Sequence, residues 1–153
     1  MKGLKNVVLL ILAVISLIIT LDFSLPGKAH KESIIDINTK HQSYNNGARN
    51  SHVSYTVKTK NNALNTSKDF AQNISKGEVV HFTKSLIFGK INRVHNLDKS
   101  ISEVYSLRWF SGLILPLLVL LILGLHFILK KQNEFLLIIC TVGTIGNLVY
   151  LFY

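Results

Sequence analysis

Six histidines are the first residues to weigh for chemistry: His30, His41, His52, His81, His95 and His126. Imidazole nitrogens bind transition metals, and zinc sites place such ligands at close spacings such as His-x3-His. No pair here has that spacing. His52 and His81 could meet across a sheet, as could His81 and His95. Scattered surface histidines are the expected reading, so no metal and no cofactor is assigned. His126 lies inside an apolar run. There it could titrate near neutral pH and gate something, although such a residue more often reaches an interface.

The acids Asp36, Asp69 and Glu78 are isolated from one another. The chain contains no nucleophile elbow, phosphate-cradling loop or dinucleotide fingerprint. The expectation is therefore a protein that is not an enzyme. A single cysteine, Cys140, excludes a disulfide within the chain.

Asn147 is the most telling polar residue. It sits in a run with no formal charge, and an amide in such surroundings needs a partner. Gly143, Gly146 and Asn147 share one face at helical spacing. That pattern suits a helix contact sealed by an interhelical hydrogen bond. Contact with a substrate or ion is the alternative.

The elements that must hold these residues are long and greasy. Residues 109–129 carry no acid or base except His126, and residues 135–153 carry no formal charge. At about 1.5 Å rise per residue, each helix would span roughly 30 Å, the thickness of a bilayer's hydrocarbon core. The turn between them, residues 130–134, is polar. A third apolar run follows Lys2 and Lys5 and has the form of a signal sequence. No small-x-small cleavage site follows closely, so a retained signal anchor over residues 6–23 is favoured over a cleaved peptide. Ala13, Ser16 and Thr20 fall on one face of it, where small residues would let another helix approach.

These segments define a membrane α plus small β architecture. Residues 1–5 are the N-terminus, 6–23 the first transmembrane helix and 24–100 a β-rich domain. Residues 101–129 are a helix running into the second transmembrane helix, 130–134 a turn and 135–153 the third. The segment 22–108 holds 13 of the 17 basic residues and seven of the eight acids, a net of +6. Such a charge could attract anionic lipid, an acidic glycan or nucleic acid. The lysines are scattered, so an ordinary surface is expected and nucleic acid is not taken as a partner.

Orientation follows the lysines. Lys2, Lys5, Lys130 and Lys131 fall on one side of three spans, which the positive-inside rule makes cytoplasmic. The β-domain and the C-terminus then lie outside. Trp109 at the start of the second span, with Tyr150 and Tyr153 at the end of the third, would anchor the outer interface.

Within the insert, Ile34, Ile35 and Ile37 mark a strand over 33–40. Val53, Tyr55 and Val57 alternate with polar residues over 53–60 and mark the clearest strand. Weaker strands are expected near 63–70, 79–88 and 91–95. Turns fall at Asn61-Asn62, at Lys76-Gly77-Glu78 and at Gly89-Lys90. Together these suggest a small antiparallel sheet or barrel. Ser100-x-x-Glu103 is a capping-box pattern, and Leu97, Ile101, Val104 and Tyr105 form a helical stripe. A helix is therefore expected from Ile101 into the second span, kinked at Pro116.

The order of one span, a β-module containing Tyr55-x-Val57 and Lys76-Gly77-Glu78-Val79-Val80, and then further spans resembles small bacterial membrane proteins of unknown function. Those proteins carry a compact extracytoplasmic β-domain between transmembrane helices. The resemblance implies the bacterial inner membrane and a periplasmic domain, and it carries no active site across. The expected role is a non-catalytic accessory subunit whose β-domain binds a partner protein or envelope component. The alternative is a small oligomeric channel or transporter subunit, self-associated through Gly143 and Asn147.

Overall fold

The computed structural model describes residues 2–43, 51–129 and 134–152, with side chains for 5–40, 53–128 and 134–152. Lys130, Lys131 and Tyr153 lie outside the described residues, as do the side chains of His41 and His52. In chain order the elements are α1 (Lys2–Ser24), β1 (Lys28–Ser43), β2 (Ser51–Thr59), β3 (Ala63–Thr66), α2 (Lys68–Gln72), β4 (Val79–Lys84), β5 (Ile91–Asn96), β6 (Ile101–Val104), the π-helical turn Arg108–Ile114, α3 (Leu115–Leu129) and α4 (Glu134–Phe152). The chain forms two units. A helical unit comprises Met1–Gly27, Ser85–Lys90 and Ser106–Tyr153, and a β-unit comprises Lys28–Lys84 and Ile91–Tyr105.

In the helical unit, Lys5–Ser24, Arg108–Ile128 and Glu134–Phe152 are long and apolar enough to cross a membrane. Their residues are hydrophobic on all sides rather than along one stripe. Only 33, 22 and 28% of the three stretches is buried within the chain, so most of their apolar side chains face outward. The inward faces make two clusters. Leu9 and Leu12 pack with Val119, Leu123, Leu137 and Cys140. Ile19 and Phe23 pack with Leu151, flanked by Phe88, Leu113 and Leu148. Along α1 and α4, the buried polar residues Ser16, Thr144 and Asn147 fall between the two clusters. Lys5 and Glu134 make an ion pair of 3.2 Å at the other end of these helices. The last turn of α1 leaves carbonyls without donors, and Arg108 Nε donates to that of Phe23 at 3.0 Å.

Asp22, in that same turn, is 2% exposed. Its carboxylate accepts from the main-chain N–H groups of Ile87 (2.8 Å) and Phe88 (3.2 Å) in the segment Ser85–Lys90. A buried charge held by two amides is satisfied where an isolated one would not be.

The β-unit is a six-stranded antiparallel sheet in the order β3-β2-β1-β4-β5-β6. β1 is the seam. Lys28–Ser33 pairs with β4 and Ile34–Ser43 pairs with β2, with an irregular register between Ile34 and Asp36. Such a bulge bends a strand, and the sheet curls. Ile34, Val57, Leu64, Val80, Phe82 and Val94 point to its inner face and pack with Phe70 and Ile74. Alternation along β2, β4 and β5 supplies those residues at every second position. The four points where the chain leaves or enters this unit lie at one end of its strands. Lys28, Lys84 and Ile91 are register neighbours, and the Tyr105 N–H bonds the carbonyl of Asn92.

Four expectations change. The strand expected near 63–70 ends at Thr66, and Lys68–Gln72 forms α2, with Ser67 as its N-cap. β1 begins at Lys28, earlier than Ser33, because its polar first half still packs: the His30 ring stacks on Phe82 at 5.2 Å. β4 stops at Lys84, leaving Leu86 and Ile87 exposed in the connection to β5. Most importantly, Ile101–Val104 is a strand and not the start of a helix. Ser100 has φ of 53°, a left-handed turn conformation that a helix N-cap does not adopt. Glu103, expected to cap Ser100, instead accepts from the Ser67 N–H, 36 residues away, with both oxygens at 2.9 and 3.0 Å. This bond ties β6 to the start of α2, whose N-cap Ser67 also accepts from the Phe70 N–H.

Candidate functional site

The β-unit carries a groove of about 550 Å³ along β2 and β3. The alternation of β2 and its pairing with β3 set its floor, where Tyr55 lies opposite Thr66 and Thr56 opposite Asn65. Thr56 Oγ1 donates to Asn65 Oδ1 at 3.1 Å. Lys40 from β1 and Lys68 at the start of α2 stand at its walls. Among the described residues the lining includes two cations, several hydroxyls and an aromatic ring, and no carboxylate. Thr66 Oγ1 is buried and has no hydrogen-bond partner among the described residues. Such a surface suits an acidic or polar chain segment that carries its own hydrogen-bonding groups. The sequence held one sign of it, the β2 alternation. The rest required the pairing that brings residues 40, 53–56 and 65–68 together.

His81 and His95 are register partners on β4 and β5, and their rings stack at 5.4 Å with planes 15° apart. Burial, then the neighbouring charges of His81 and Arg93, hold the His95 imidazole below its usual range. His52 lies on β2, two strands from β4, and its side chain is outside the described residues. No group of three or more His, Cys, Asp or Glu side chains converges among the described residues. The acids have structural partners. Asp36 pairs with Lys76 at 2.6 Å and Glu78 with Lys99 at 2.7 Å. Glu32 accepts from Asn62 Nδ2 at 2.9 Å.

In the helical unit, Asn147 donates through Nδ2 to the carbonyl of Ser111 at 2.9 Å. The reason lies in the π-helical turn. There the bonds run from residue i to i−5, as in Leu115 N–H to Phe110 O. The next such bond would run from residue 116 to Ser111, but Pro116 has no N–H. Asn147 supplies the missing donor. Ser16 is buried on α1 and Thr20 donates to its carbonyl at 2.8 Å, while Ala13 packs at the edge of the first cluster. The small residue that admits the closest approach is one not singled out in the sequence. A Cβ on Gly112 would overlap the ring of Phe23. Gly143 and Gly146 meet nothing within 4 Å. Trp109 and Tyr150 are both exposed.

Comparisons with protein-family models, with curated proteins and with solved structures find no match to this chain.

Proposed function

We propose that the chain is a non-catalytic, multi-pass protein of the bacterial inner membrane, and that its β-unit binds a partner protein or envelope component as part of a larger assembly. The observation that carries this reading is the outward-facing apolar surface on all three long helices, borne by a chain whose β-unit has a polar, cationic groove. Apolar surface of that extent is stable against lipid and not against water. A bilayer requires every main-chain polar group to find a partner within the protein. The Asn147–Ser111 bond meets that requirement at Pro116. The positive-inside rule applied to Lys2, Lys5, Lys130 and Lys131 supports a cytoplasmic N-terminus and a cytoplasmic connection after α3, with the β-unit outside.

The test uses the full chain with a photo-crosslinking side chain in place of Tyr55. One specific adduct is expected, diminished by Lys40→Glu with Lys68→Glu. A chain recovered in the supernatant after ultracentrifugation without detergent would remove the membrane reading. Absence of any adduct in membranes that hold the protein would remove the binding role. A periplasm-dependent reporter fused after Tyr153 should be active; silence in a well-expressed fusion would reverse the orientation.

A further inference from the structure

The face of the β-unit opposite its core carries an unbalanced charge. One register row across the strands is Lys31, His81, His95 and Ser102, and the next is Ala29, Thr83, Arg93 and Val104. Register partners share a face. The single row between them is His30, Phe82, Val94 and Glu103; its Phe82 and Val94 are fully buried and point inward, so the two flanking rows point outward. Lys31 and Arg93 are exposed, and the two imidazoles are partly so. None of the eight residues is a carboxylate. The charged neighbours that act on His95 are His81 and Arg93, both of its own sign when protonated.

Two ligands could settle such a cluster, a transition metal or an anion. The metal is disfavoured. Rings stacked with nearly parallel planes do not aim their nitrogens at a common point. No third ligand joins them among the described residues, and Lys31 and Arg93 would repel a cation. An anion is favoured by every charge in the two rows.

The position of the rows selects which anion. All crossings of the chain out of this unit lie at one end of the strands. Ala29, in the row of Arg93, is five residues from Ser24 at the end of α1, and Arg93 follows Asn92, whose carbonyl accepts from the N–H of Tyr105, three residues before the apolar stretch that begins at Arg108. Five and three residues are at most about 18 and 11 Å of extended chain, which puts the rows within reach of the interfacial layer.

We propose that Lys31, His81, Arg93 and His95 form a binding surface for the phosphate headgroups of anionic lipid, engaged more strongly as the medium becomes acidic. This rests on the bilayer-spanning reading above. The charged and titratable groups facing the histidine pair are Lys31 from β1 and Arg93 from β5, while β6 contributes the neutral Ser102. Burial, and after it the charges of His81 and Arg93, disfavour a proton on His95; a lipid phosphate offsets the second of these, so binding and protonation reinforce each other.

The test is lipid selectivity of the full chain in phosphatidylcholine vesicles, read by electron paramagnetic resonance of spin-labelled phosphatidylglycerol against spin-labelled phosphatidylcholine. Flotation of the vesicles with the protein tests the bilayer reading separately. Phosphatidylglycerol should be preferred several-fold. The preference should rise about fivefold from pH 8 to pH 5, since each basic charge near an anionic surface is worth roughly that factor. Lys31→Gln with Arg93→Gln should remove most of it, while Lys40→Gln with Lys68→Gln leaves it unchanged. A preference indifferent to Lys31→Gln and Arg93→Gln at both pH values overturns the proposal. So does displacement of the labelled lipid by inorganic phosphate at constant ionic strength, which would assign the surface to a soluble anion. Stoichiometric Zn²⁺ binding lost in His81→Ala, without lipid selectivity, overturns it in favour of a metal.

Discussion

Asn147 on α4 donates to the main-chain carbonyl of Ser111, the acceptor that Pro116 leaves without an N–H five residues on. A side chain from one helix thus completes the hydrogen bonding of another at the point where the helix type changes. Interhelical bonds of this kind contribute about 0.6 kcal/mol on average and up to about 1.7.

Asn147→Leu should therefore lower the stability of the detergent-solubilised protein by about 0.6–1.7 kcal/mol, read as a lower midpoint of thermal unfolding. The same change should cost less in a Pro116→Ala background, because residue 116 then brings its own donor to Ser111. Strict additivity of the two changes in a double-mutant cycle would show that the proline and the amide are not coupled.

Gly112 and Phe23 make a second testable contact. A Cβ at residue 112 overlaps the Phe23 ring, which is fully buried. Overpacking of this kind costs typically about 1–3 kcal/mol. Gly112→Val should destabilise by that amount, and Phe23→Leu should recover part of the loss. A neutral Gly112→Val would mean that α1 and the π-helical turn separate at little cost.

Asn92 is 1% exposed, and neither atom of its amide has a partner among the described residues. Replacing an unpartnered buried polar group by an apolar one of similar shape removes its desolvation cost, about 1–3 kcal/mol. Asn92→Leu is thus expected to raise the unfolding midpoint. A lower midpoint would indicate that the amide is used in the functional state.

Stability should fall in two stages as pH drops, by distinct groups. Burial, then His81 and Arg93, hold His95 below the ordinary histidine range. The unfolded chain takes up this proton first, so stability declines below about pH 6.5. Lower down, three carboxylates matter. Burial raises Glu32, but hydrogen bonds from Thr59, Asn62 and Asn61 outweigh it. The hydrogen bond from Lys76 lowers Asp36 and that from Lys99 lowers Glu78. Their folded values lie below the unfolded ones, so what they contribute is present above about pH 4 and lost as pH falls through the folded values. Thermal unfolding from pH 8 to 3 should show both declines, and His95→Leu should abolish only the upper one.

The long helices were legible because charge-free runs leave few alternatives to an apolar helix. Tyr55 and its neighbours on β2 were legible because alternation is local. The turn after Leu107 was not, since no residue type distinguishes an i−5 bond from an i−4 bond; Pro116 was the one sign. At Ile101 the local signal pointed the wrong way. Ser100 and Glu103 have the spacing of a helix start, but Glu103 has a partner in Ser67, 36 residues upstream. The groove shares that difficulty, because its walls come from three separate stretches of chain.

The Asp22 carboxylate has a further consequence, in the timing of synthesis. Its two donors lie 65 and 66 residues later in the chain. As the polypeptide leaves the ribosome, α1 emerges with a negative group at its end and nothing yet made to receive it. That group finds its main-chain donors only once β4 has been translated and the segment after it exists. The first helix cannot reach its final packing early, and translation arrested before Ile87 should leave it open to proteolysis near Ser24.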